Sequence, residues 1–325
     1  MRYVSLPNGG PAVSVLGLGC AAMMGSASRR ESLAALAAAY DSGINFFDTA
    51  RSYGYGASEG LLGEFCAGRR DQVVICTKFG ILPAAYTWKQ SLKPLARSAF
   101  KLFPGLRKVA RKQAGQLFTG NQFSVEALRS SLDTSLRELK TGYVDILLMH
   151  AAPMSGLAQD DLLAELHSLV AAGKVRMAGI SSEHDVIAAT LNQRPPILQS
   201  AQFACNIEHF AFLGEIAASQ TARSGMFLVA NHPFGGPFGV AETRNRIAAL
   251  RNTPGLPSDL RAKLDPSDPQ LLPEVVLNAI LTGTGIDAIV PAMIQPRHLK
   301  GNCQAIANCR FTPNELNHIR RALAR

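Results

Sequence analysis

Four residues that could donate, hold or stabilise a proton lie at or just beyond the ends of short apolar runs. Asp48 and Tyr53 stand five apart in GINFFDTARSYGYGASEGLLGEF, Lys78 follows VVICT, and His150 follows VDILLM. A free tyrosine has a pKa of about 10, too high for an efficient acid at neutral pH. A nearby ammonium stabilises the phenolate and is expected to lower that value. A charge at the end of an apolar strand is costly unless paired, which makes Asp48 and Lys78 expected partners, with Asp48 holding Lys78 in place. His150, donating a hydrogen bond, would orient a carbonyl and help polarise it. Each residue also has a structural reading when taken alone: a tyrosine on a surface loop, an ion pair that only stabilises, a histidine satisfied in the core. Chemistry requires that something bring them together.

The surrounding elements do so. Apolar runs at 15–19, 45–48, 73–78, 145–150, 175–181, 198–201, 227–230 and 288–290 read as strands. Helical patterns separate or follow them at 29–41, 58–66, 124–139, 160–171, 183–192, 209–224, 271–281 and 298–307. A last helix, 313–323, opens with Thr312, Pro313 and Glu315 in capping-box spacing. Strands that are apolar throughout, each followed by a helix, are parallel and covered on both faces. Eight such units make a closed (β/α)8 TIM barrel in the α/β class, a single domain over residues 1–325. In that fold the C-terminal strand ends share one mouth, where Asp48, Lys78 and His150 converge below Tyr53. The opening stretch, 2–5, then Asn8-Gly9-Gly10, then 13–15, reads as an N-terminal β-hairpin placed to plug the barrel floor. Two long loops, 81–123 and 231–270, are expected at the catalytic mouth, since connections of that length are usually functional.

Composition narrows the function. With 47% hydrophobic and 18% charged residues the chain can build a large core and is not disordered. No apolar run is long enough to span a bilayer, and the start MRYVSLPNGG lacks the apolar stretch of a secretory signal. The six cysteines are scattered without CxxC spacing, which fits reduced thiols in the cytoplasm and gives no metal site. Of the net charge of +9, eight positive charges lie within 81–123, which contains no acid. No nucleic-acid-binding signature accompanies them. The segment, with Trp88 inside it, reads as a lid that concentrates an anionic cofactor or acidic substrate. Met23, Met24, Tyr55 and Trp88 are candidates to line an apolar substrate pocket near the same mouth.

Besides FDTARSYG, the chain carries LRSSLDTSLRELKTGYVDILLMH, GKVRMAGISS and VPAMIQPRHLKGN. In these motifs, and over nearly its whole length, it resembles the aldo-keto reductases. The resemblance implies a catalytic tetrad carried onto Asp48, Tyr53, Lys78 and His150. It also implies an extended NADPH, with NADH as the alternative, bound without a Rossmann domain. Gly17-Leu18-Gly19 is accordingly not a dinucleotide fingerprint. The family grips the nicotinamide carboxamide with a Ser-Asn pair and a Gln, which fall here on Ser181, Ser182 and Gln202. At the family's aromatic stacking position this chain has Asn231, followed by His232. Toward the 2′-phosphate, Ala292 and His298 replace the usual Lys and Arg, leaving Arg297 and Lys300 to substitute, while Asn302 matches the adenine contact.

The leading expectation is an oxidoreductase that reduces an aldehyde or ketone, or oxidises the matching alcohol or sugar, with Tyr53 as general acid/base. Its partner is then a small-molecule carbonyl, not nucleic acid or membrane. Two other readings stand beside it: a cofactor-binding redox sensor or regulatory subunit with little turnover, and a barrel that uses the basic segment on nucleic acid.

Overall fold

The computed structural model describes residues 1–7, 9–83, 118–119, 122–218 and 225–324. Two strands, β1 (Tyr3–Val4) and β2 (Val13–Ser14), pair antiparallel as the expected hairpin. The barrel begins with β3 (Leu18–Gly19), α1 (Arg29–Asp41), β4 (Phe46–Asp48), α2 (Ser58–Cys66) and β5 (Val74–Phe79). A short antiparallel pair, β6 (Leu82–Pro83) and β7 (Phe118–Thr119), follows. The alternation resumes with α3 (Val125–Leu139), β8 (Val144–His150), α4 (Asp160–Ala171), β9 (Val175–Ser181), α5 (His184–Gln193), β10 (Leu198–Ala204), α6 (Phe210–Ala218) and β11 (Phe227–Asn231). The chain then runs through α7 (Gly236–Ala249), α8 (Ser258–Lys263), α9 (Leu271–Leu281), β12 (Ala288–Val290), α10 (Pro296–Ala307) and α11 (Pro313–Leu323). Thr312 and Glu315 form the expected capping box on α11.

The eight-stranded sheet has the order β12-β11-β10-β9-β8-β5-β4-β3, and its pairings are parallel. A parallel bridge between Leu16 and Ile289 joins the two ends into a barrel. Its backbone bonds run from Gly17 N–H to Ile289 O at 2.8 Å and from Ile289 N–H to Val15 O at 2.8 Å. A Cβ at Gly17 would lie 2.7 Å from the Phe46 ring and 2.8 Å from Val290, so glycine permits this seam to close. The Gly17-Leu18-Gly19 run therefore serves packing of the barrel.

Because side chains alternate along a strand, every second residue points into the barrel. Phe46, Val74, Cys76, Ile146, Leu148, Met177, Phe227, Val229, Ala288 and Val290 form one buried cluster, and Leu6 and Val13 from the hairpin region belong to it. The hairpin thus plugs the floor, as expected. Beyond this cluster, toward the C-terminal ends of six strands, stand Asp48, Lys78, His150, Ser181, Gln202 and Asn231, all polar. The apolar floor ends where the site begins.

The connection 231–270 differs from the expected long loop, since α7 and α8 occupy much of it. The start of α7 is Gly- and Pro-rich, which reads as a turn, yet Pro in the first turn suits a helix N-terminus. In the other long connection, β6 and β7 lie within 81–123 near its two ends. The expected lid and Trp88 lie outside the described residues.

Candidate active site

At the ends of β4 and β5, Lys78 Nζ donates to Asp48 Oδ1 at 2.7 Å and to Thr49 O at 2.9 Å. Both side chains are buried, so this is the pairing that burial demands. The same ammonium reaches the Tyr53 hydroxyl at 3.3 Å and lies 4.8 Å from its ring centroid. The His150 ring meets the Tyr53 ring edge-on at 6.0 Å. All four expected tetrad residues therefore meet at one mouth.

Tyr53 opens a 3-10 turn, Tyr53–Gly56, in which Gly54, Tyr55 and Gly56 have φ of 59°, 58° and 91°. A Cβ on Gly54 would stand 2.4 Å from Met23 O, so the turn is seated directly against the β3–α1 loop. Met24 in that loop is left-handed too, with φ 58°. Such non-glycine strain costs on the order of 1–3 kcal/mol and persists only where packing enforces it. A second support was not singled out in the sequence. Buried Glu59 accepts from Arg51 Nη1 at 2.7 Å and from Thr77 Oγ1 at 2.6 Å. It thereby braces the Tyr53 loop against the strand that carries Lys78. An Arg and a Glu eight residues apart across the start of α2 were the available signal.

Electrostatics correct one expectation. Burial pushes the Tyr53 phenol above its ordinary value, and the Lys78 ammonium offsets only part of this. Tyr53 is therefore protonated at neutral pH, the state of a proton donor. Burial works against the Lys78 charge, but Asp48, with Tyr53 and Cys76, more than restores it and raises its pKa. Burial, then repulsion from Lys78, drops His150 to about 3, so its imidazole is neutral. Its Nδ1 is buried without a partner among the described residues.

The residues matched to the carboxamide grip are arranged unequally. Ser181 Oγ donates to Gln202 Oε1 at 3.0 Å, and Asn231 Nδ2 reaches the same oxygen at 3.3 Å. Gln202 Nε2 in turn donates to Asp48 Oδ1 at 2.8 Å. Ser182 turns away, its hydroxyl donating to Ala152 O at 2.7 Å. His232, with φ 49°, bonds Asn231 Oδ1 through Nδ1 at 2.9 Å. Arg297 and His298 sit exposed in the first turn of α10, Lys300 is exposed beyond them, and Asn302 is buried further along. Partial desolvation, then neighbouring Arg297, holds His298 below the usual histidine value, which leaves Arg297 and Lys300 as the cations there. Tyr55 is exposed and Met24 half-buried beside the Tyr53 turn, while Met23 is fully buried and belongs to the core. Among the described residues no group of His, Cys, Asp and Glu could hold a metal ion.

Residues 15–238 match the model of the Aldo/keto reductase family. Norsolorinic acid reductase stcV of Emericella nidulans is 33% identical over 172 residues, 52% of this chain and 38% of that protein. Aryl-alcohol dehydrogenase [NADP(+)] of Phanerodontia chrysosporium is 31% identical over 160 residues, 49% of this chain and 36% of that protein. The matches thus span less than half the length of these curated relatives. The holo form of an aldo-keto reductase from Bacillus halodurans superposes with a TM-score of 0.71 at 21% identity, covering 99% of this chain and 96% of that one. At that identity the likeness speaks for the fold.

Proposed function

The chain belongs to the aldo/keto reductase family, and we propose that it reduces an aldehyde or ketone with NADPH, Tyr53 delivering the proton. The observation that carries this reading is the convergence of Tyr53, Lys78, Asp48 and His150, with the Lys78 ammonium 3.3 Å from the phenol. The donor set suits a dinucleotide: the mouth has a polar floor of Ser181, Gln202 and Asn231, and Arg297 and Lys300 stand at an electropositive helix start. We assign Ser181, Asn231 and His232 to the nicotinamide side, Arg297 with Lys300 to the 2′-phosphate and Asn302 to the adenine. When bound, the nicotinamide supplies the hydride.

As the carbonyl carbon accepts that hydride, the Tyr53 O–H bond breaks and its proton passes to the carbonyl oxygen, giving the alcohol. The phenolate left behind is stabilised by Lys78, whose charge Asp48 secures, and takes its next proton from solvent. Neutral His150 donates one N–H to the carbonyl oxygen, orienting it as negative charge develops. Met24 and Tyr55 form part of an apolar wall for the substrate. The thiols support a cytoplasmic setting: all six cysteines are unpaired, and Cys20, Cys66, Cys76 and Cys205 are buried. No helix among the described residues is long and apolar enough to cross a membrane.

A panel of aliphatic and aromatic aldehydes, ketones and sugars, followed at 340 nm with NADPH and with NADH, tests the proposal. Reduction with a lower KM for NADPH is expected. NADPH binding without turnover across the panel would instead favour a redox-sensing role.

A further inference from the structure

The direction of the hydrogen bonds around Gln202 follows from one fixed point. Asp48 pairs with a lysine whose charge is secured and is therefore an ionised carboxylate, which only accepts. The Gln202 atom 2.8 Å from it must then be the amide nitrogen. That choice turns Gln202 Oε1 toward Ser181 Oγ and Asn231, both of which must donate. Asn231 consequently presents its own oxygen to His232 Nδ1, which carries the proton. One chain of donors thus runs from His232 through Asn231 and Gln202 to Asp48, and Lys78 arrives at the same Oδ1 from the other side.

Gln202 is fully buried, and its carbonyl oxygen is committed twice. We propose that Gln202 is a positioning residue for the Asp48–Lys78 pair, oriented by Ser181 and Asn231. This rests on the hydride-transfer reading for its catalytic consequence only. Asn231 gains a purpose by the same argument: a polar residue there locks the Gln202 amide, which an aromatic ring could not do.

The sign of the effect follows from the neighbours of Tyr53. The Asp48 charge raises the phenol pKa and the Lys78 charge lowers it. A donor on Asp48 dampens the first influence and holds Lys78 in place for the second. Removing that donor should therefore raise the Tyr53 pKa on both counts.

The test is Gln202→Met, close in volume and unable to donate, in protein labelled with 3-fluorotyrosine. Fluorination acidifies the phenol, and fluorine NMR then reads each of the six tyrosines. Tyr53→Phe identifies the Tyr53 resonance. The expected result is a Tyr53 midpoint raised by at least about half a pH unit. In steady state, kcat for reduction should fall about tenfold to a hundredfold, as for loss of a hydrogen bond to a charged group. Should Gln202→Met not fold, Asn231→Leu leaves Gln202 in place and should move the Tyr53 midpoint the same way by less. An unchanged midpoint in the folded variant, or weaker NADPH binding as the sole effect, overturns the assignment. The titration requires no turnover, so a chain that reduces nothing would refute the proposed function and leave this test intact.

Discussion

The barrel holds a buried ion cluster at each end, and the two are built differently. At the floor, Asp145 is fully buried and accepts from Arg70 Nη2 at 2.8 Å, Arg176 Nη1 at 2.9 Å and Ile75 N–H at 2.9 Å. The two guanidiniums lie against the Tyr143 ring at 3.9 and 4.3 Å. Arg70 also bonds Val73 O, Tyr143 O and Thr141 Oγ1, each at 3.0 Å. One anion is met by two cations that reach solvent, so its charge is fully compensated. At the mouth, one buried ammonium serves one carboxylate, a backbone carbonyl and, at 3.3 Å, a phenol. His150 Nδ1 has no partner among the described residues. The floor uses its donors within the protein, whereas the mouth leaves one ring nitrogen unmet among the described residues. Under the proposed function, that contrast, more than the presence of an ion pair, separates a reactive cluster from a structural one.

Exchanging the roles of the two ends should fail in opposite ways. Lys78→Met should produce the largest loss. It removes the ammonium beside Tyr53 and leaves Asp48 buried with Gln202, so reduction should fall at least about a thousandfold. Stability in urea unfolding should drop by about 3–5 kcal/mol. Near-normal turnover would dissolve the distinction between the ends. Asp145→Asn should do the reverse. Urea unfolding should show a loss of about 2 kcal/mol, since both guanidiniums lose their charge partner while keeping contact with water. Turnover per folded molecule should stay within about twofold, because additivity holds between distant sites. A folded Asp145→Asn protein with collapsed turnover would show that the floor sets the geometry of the mouth.

The smallest expected effect concerns pH. With its folded pKa depressed to about 3, His150 stays neutral through the assay range, so reduction should show no inflection near the usual histidine value. The sign for stability is definite: the unfolded state takes up the proton first, so this contribution is complete above about pH 6.5 and is lost as pH falls toward 3. Thermal melting from pH 7 to 4 should therefore decline less in His150→Gln than in wild type. An identical decline would mean that the imidazole is not held neutral by burial.

The sequence displays the barrel well because its strands are buried on both faces and its helices lie between them. The Asp48–Lys78 pairing is legible for the same reason, since the two apolar strands that carry these opposite charges hold no other charged residue. Less legible is whatever depends on pairing between strands. The expected strand 198–201 continues to Ala204 because β11 offers partners as far as Ala204 opposite Asn231. The run 15–19 contributes only Leu18–Gly19 as a strand, since the chain changes partner at the seam, where Leu16 bridges Ile289. The α7 helix is hidden behind its glycines. The phenol pKa is misjudged because proximity to Lys78 can be read from a motif, while the depth of burial cannot. The bonding of Gln202 to Asp48 joins residues 154 positions apart, beyond any local pattern.

The central claim is that Tyr53 supplies the proton at this mouth, and Tyr53→Phe tests it most directly. The substitution keeps the ring packed against His150 and removes only the hydroxyl. With an aldehyde that the wild type reduces, the rate of NADPH oxidation at 340 nm should fall by about a hundredfold to ten-thousandfold, with the NADPH dissociation constant nearly unchanged. Turnover close to wild type in this variant would contradict the account.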